Sequence, residues 1–101
     1  MFELQIIIPI EDNEGEIFSE AEHAIFEEFA TSLFGGITRY SEVVGIWKEE
    51  GMTYADHSRL YGIAIHSITE GDKVAQMVRF AKSHYQQLAI FIRYLGQAEI
   101  L

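Results

Sequence analysis

A chain of 101 residues, 49% hydrophobic and 13% aromatic, has the length and apolar mass for a single packed domain spanning 1–101, and it excludes a disordered polypeptide. Seven basic against 16 acidic residues give a net charge of −9, which repels phosphate backbones and anionic lipid headgroups, so neither nucleic acid nor membrane is an expected partner. The absence of cysteine removes disulfides, thiol nucleophiles and thiolate metal sites.

Phe2, Leu4, Ile6 and Ile8 alternate with Glu3, Gln5 and Ile7, the period of a strand, and the run Ile6-Ile7-Ile8 marks a strand apolar on both faces. Pro9 has no amide to donate and should weaken the pairing there. The N-terminus carries no basic region and its apolar run is short, so no export signal is expected and the cytoplasm is the expected compartment. Glu11-Asp12-Asn13-Glu14-Gly15-Glu16 offers oxygens at alternate positions, as a calcium loop does. Its glycine stands at the wrong offset and no glutamate closes the loop, so a solvated acidic turn is expected.

Ser19-Glu20-Ala21-Glu22 reads as a capping box opening a first helix. Its expected buried stripe is Ala21, Ile25, Phe29 and Leu33, flanked by Phe26 and Ala30, with His23, Glu20, Glu27 and Glu28 outward. His23 and Glu27 lie one turn apart, but two ligands do not make a metal site, and no metal is expected. Gly35-Gly36 ends the helix, since glycine takes the left-handed conformation of a C-terminal cap. Phosphate-cradling glycines precede a helix, whereas a strand follows here.

A second strand is expected over Ile37 to Trp47, a charged turn at 48–52, and a third strand from Ser58 to Ile68. Asp56-His57-Ser58 holds the residue types of a hydrolase triad, yet neighbours on an extended chain point to opposite faces and cannot form that relay; a hairpin end is expected. Tyr40 and Trp47 are read as strand packing rather than as platforms for a ring ligand. A second helix is expected after Glu70-Gly71, capped by Asp72 or Thr69, with Val74, Met77, Val78, Ala81 and Tyr85 inward. A fourth strand is expected over Leu88 to Leu95, and the tail 97–101 ends apolar, as a docking segment would.

The order is β-α-β-β-α-β, which points to the α+β class: a ferredoxin-like fold with a four-stranded antiparallel sheet and both helices on one face. With Phe2, Leu4, Ile6, Ile8, Tyr61, Ile63, Ile65, Ile90, Ile92 and Tyr94 beneath the helices, the bare face carries Ile7, Leu60, Ala64, Phe91 and Leu95 among Glu3, Gln5, His66 and Arg93. That mixture suits an interface, and a homodimer joined through the bare faces is expected. Gly62 and Ala64 would leave room there, while Gln5, His66, Phe91 and Arg93 would line a small-molecule pocket. In the sharper reading His66 is a general base and Arg93 a carboxylate or oxyanion clamp; in the plainer one they are a satisfied polar pair.

The spacing of Phe34-Gly35-Gly36-Ile37-Thr38, Gly45-Ile46-Trp47 and Asp56-His57-Ser58 resembles the F-G-G-x-T, G-x-W and D-x-S pattern of a family of small bacterial and phage proteins of unknown function. The resemblance covers the middle third of the chain and implies fold rather than chemistry. In architecture the chain is also similar to the dimeric α/β-barrel proteins, which include cofactor-free monooxygenases and small stress-response domains. The expected function is a non-enzymatic homodimer that binds a small molecule or a protein partner on its bare sheet face, with no cofactor. The alternatives are a cofactor-free monooxygenase-like enzyme using His66 and Arg93, and a structural assembly subunit.

Overall fold

The structure, a computed structural model, describes residues 1–67 and 70–97. Its elements are β1 (Phe2–Pro9), α1 (Glu20–Phe34), β2 (Thr38–Glu49), β3 (Met52–Ile65), α2 (Gly71–His84) and β4 (Phe91–Gln97). The strands form one antiparallel sheet in the order β2-β3-β1-β4. This is the ferredoxin-like α+β architecture, with β1 central as its consecutive isoleucines require.

Leu4, Ile6 and Ile8 of β1 and Tyr61, Ile63 and Ile65 of β3 form the sheet side of the core. Phe26 and Ala30 of α1, Val74, Met77 and Ala81 of α2, and Tyr85 just after it form the helix side. The two helices also meet through Phe29 and Phe80, whose rings stack at 4.0 Å. No helix among the described residues is long and apolar enough to cross a membrane.

The capping box at Ser19 forms in full: its hydroxyl accepts from the Glu22 amide, and the Glu22 carboxylate accepts from the Ser19 amide. Gly35, at φ 85°, caps the other end by donating to the Thr31 carbonyl. The buried face of α1 differs from expectation. His23, Phe26 and Ala30 are inside, whereas Ala21 is exposed and Ile25 is 53% exposed. His23 can enter the core because its Nδ1 lies 2.8 Å from the Tyr85 hydroxyl, so burial leaves no polar atom without a partner.

The acidic segment 11–16 is a tight turn in which Asp12 Oδ1 accepts from the amides of Glu14 and Glu16. α2 starts with Glu70 at its N-cap position and no side-chain cap, so Asp72 does not serve; Ile68, the expected end of the third strand, Thr69 and the tail 98–101 lie outside the described residues. Glu70 instead takes the His66 amide at 2.6 Å.

Two strand limits are corrected. β3 begins at Met52 rather than near Ser58, because Glu50-Gly51 (φ 51° and 78°) is a two-residue turn that keeps the following residues in register with β2. Asp56, His57 and Ser58 therefore lie within a strand and not at its approach. β4 begins at Phe91 rather than Leu88, since residues 88–90 cross from the helix layer to the sheet edge. A register shift between the Phe2 and Leu4 rows turns Leu95 toward Tyr94, Phe2 and Val74, away from the bare face where the alternation had put it.

Candidate functional site

Register fixes what the uncovered sheet face displays. Gln5 of β1 stands between Gly62 of β3 and Arg93 of β4, and Ile7 stands between Leu60 and Phe91. The two rows are adjacent on one face because side chains alternate along each strand. Gln5 is buried, and its Oε1 accepts from Arg93 Nη2 at 2.8 Å. A buried amide thus holds the guanidinium in place, while the other donors of Arg93 have no hydrogen-bond partner among the described residues. Arg39, Arg59 and Lys73 form ion pairs; among the described residues Arg93 forms none.

Arg93 borders a hollow of about 440 Å³ whose floor is Ile7, Leu60, Val43 and Phe91, with Asp56 and Ser58 at its far end. Phe91 is 57% exposed. Asp56 is engaged, accepting from Trp47 Nε1 at 2.8 Å, and Trp47 stacks on Tyr54 at 4.5 Å. A second hollow of about 340 Å³ lies beside Gly35-Gly36 and contains Gly62, Ala64 and His66.

Gly62 does not leave the room that its lack of a side chain suggests. The Tyr40 hydroxyl donates to Glu3 Oε1 at 2.7 Å, and this pair lies across the glycine. A Cβ at Gly62 would stand 2.6 Å from Glu3 Oε1 and 2.7 Å from Tyr40 Cε2. The carboxylate contact raises the Tyr40 hydroxyl above its ordinary pKa of 10.0.

The residues singled out from sequence therefore divide between two places. Gln5, Arg93 and Phe91 gather at or beside the first hollow; Gly62, Ala64 and His66 belong to the second. His66 lies just beyond the end of β3, whereas Arg93 is on β4, and β1 runs between those two strands. Tyr40 over Gly62 and the Trp47–Asp56 bond were missed, because each depends on the β2–β3 register, which has an irregularity between Arg39 and Glu42.

The helix-covered face holds a closed polar cluster. Glu27 Oε2 accepts from the hydroxyl of Tyr61 at 2.6 Å, from Arg39 at 3.2 Å and from Arg59 at 3.5 Å, and Arg59 also pairs with Glu20. Burial first, and the Glu27 bond second, push the Tyr61 hydroxyl up to about 12. These groups satisfy one another and tie α1 to β2 and β3. His23 and Glu27 do not share a ligand position, and no three His, Asp or Glu side chains among the described residues are grouped to hold a metal ion.

No family model and no curated protein matches the chain. Solved structures do. The divalent cation tolerance protein CutA1 from Thermus thermophilus superposes with a TM-score of 0.68 at 16% identity, over 99% of this chain and 86% of that one. A phage SAM lyase in complex with S-methyl-5′-thioadenosine gives 0.69 at 10% identity, over 94% and 80%. The PII-like protein CutA from Nostoc gives 0.60 at 12% identity, over 96% and 81%. The likeness is one of fold.

Proposed function

We propose that this protein is a self-associating binding domain whose bare sheet face takes a small molecule with an anionic group. Arg93 holds the anion, and Ile7, Leu60 and Phe91 take the apolar part. One observation carries the reading: in a chain of net charge −9, a guanidinium stands at an apolar hollow without a carboxylate partner among the described residues, fixed by a buried amide. Guanidinium groups match carboxylate and phosphate geometry, and an apolar pocket with few fixed polar groups is the usual form of a small-molecule site. The phage SAM lyase of similar fold holds S-methyl-5′-thioadenosine, which supports small-molecule binding in general but, lacking an anionic group, not the anion assigned to Arg93. Binding is favoured over turnover because His66 lines a different hollow from Arg93. The exposed apolar side chains of the bare face, Phe91 foremost, support self-association.

The test is native mass spectrometry of gently purified protein beside its Arg93→Met variant. A reproducible non-covalent mass is expected on the wild type and should be lost in Arg93→Met. Arg93→Lys should retain only part of it, since lysine keeps the charge without the fork. A mass retained in full by Arg93→Met would refute the assignment.

A further inference from the structure

Ser58 is a polar residue that burial has left without a partner. It lies on the uncovered side of the sheet, two residues along β3 from Leu60 and opposite Pro9 of β1. The residue is 8% exposed, and among the described residues its hydroxyl makes no hydrogen bond. No side-chain oxygen or nitrogen of the described residues is sealed away from solvent without a partner, so this hydroxyl reaches open space. The space is the junction of two hollows: the one that Arg93 borders, and another of about 510 Å³ that continues past Pro9 to the acidic turn. Ile7, Asp56, Ser58 and Phe91 line both, which makes them one trough.

The ends of the trough carry opposite charge. Arg93 stands at one end, on the Gln5 row; Ser58 is on the Pro9 row, four residues and about 13 Å away along β1. Beside Ser58 is Asp56, which gives one carboxylate oxygen to Trp47 and has the other unpartnered among the described residues, and Glu11 and Asp12 lie beyond it. Arg93 and Asp56 border the same hollow, yet no ion pair joins them. The carboxylates are not grouped to hold a metal ion, and no lysine or arginine lines their end, so the group that suits it is an organic cation. From this we infer that the ligand of the bare face is dipolar: an acid held by Arg93, an apolar spacer over Ile7 and Phe91, and a protonated amine that donates to Asp56 and to the Ser58 hydroxyl. An ammonium has donors enough for both oxygens. A ligand with an apolar far end would cover those oxygens without bonding them, so the site selects against simple carboxylates.

The inference rests on the anion site proposed above and names the class of ligand that fills it. Isothermal titration with ε-aminocaproate and with caproate, at equal salt and neutral pH, tests it on wild type, Asp56→Asn, Ser58→Ala and Arg93→Met, with circular dichroism melts to check folding. Wild type should bind ε-aminocaproate about tenfold more tightly than caproate. Asp56→Asn, whose amide oxygen can still accept from Trp47, should bind the two alike, and Ser58→Ala should lose part of the preference. Arg93→Met should bind neither. Equal affinity of the wild type for both probes, with both lost in Arg93→Met, would overturn the dipolar ligand and leave the anion site standing. Binding of neither probe by the wild type, or binding indifferent to Arg93→Met, would overturn the anion site and this inference together. A preference undiminished in Asp56→Asn would overturn the place assigned to the amine.

Discussion

His23 shows how one residue can be misread from its neighbours and then explained by a distant one. By periodicity it belongs to the polar face of α1, because histidine counts as polar and Ile25 stands one turn after Ala21. Its place in the core, at 2% exposure, depends on the hydroxyl of Tyr85, 62 residues away, which no local pattern contains. Burial first, and the Arg59 guanidinium second, lower its pKa below 6.5, against Glu20, Glu27 and Glu22, which favour the charged ring. The unfolded chain therefore takes up a proton near pH 6.5 that the folded chain resists. The stability this contributes is complete above pH 6.5 and is lost as pH falls through the lowered folded value. Urea melts from pH 7.5 to 5.5 should show that decline, and His23→Gln should flatten it. Tyr85→Phe keeps the ring packing but strands the imidazole nitrogen, at an expected cost of about 1–3 kcal/mol. An unchanged midpoint would mean that the hydrogen bond contributes nothing. Arg93 is the contrasting case: its place on the bare face could be read from alternation, but its tie to Gln5 needed the β1–β4 register.

At the scale of elements, the sequence was most legible where chemistry is local. The capping box at Ser19 and the left-handed Gly35 announce the limits of α1, because each satisfies helix-end groups with residues a few positions away. The inward stripe of α2 was nearly as plain: Val74, Met77, Ala81 and Tyr85 are buried, and Val78 is half-buried at its margin. The hairpin was harder. Asp56, His57 and Ser58 resemble turn residues, and only the pairing of Trp47 with Tyr54 and the bond from Trp47 to Asp56 show that they continue a strand. That hairpin depends on Gly51, whose φ of 78° is costly for any side chain. Gly51→Ala should destabilise the turn by about 1–2 kcal/mol. Amide exchange should then accelerate in residues 44–57 while β1 stays protected; uniform exchange across both would show that the hairpin is not an independent unit.

Across the whole molecule, the β-α-β-β-α-β order was enough to give the architecture, because right-handed crossovers leave few ways to arrange it. The candidate site was only half legible. Alternation identified the bare face, but it could not show that Tyr40 and Glu3 fill the space over Gly62, or that His66 and Arg93 lie in separate hollows. Neither could composition show that the hairpin outruns its third strand and leaves Ile46 and Val44 in water. The proposed self-association and the proposed site on the uncovered sheet both rest on those features. Native mass spectrometry of the intact, gently purified protein tests that most directly. The expected result is an assembly of two or more chains carrying a reproducible bound mass; a bare monomer at micromolar concentration would contradict it.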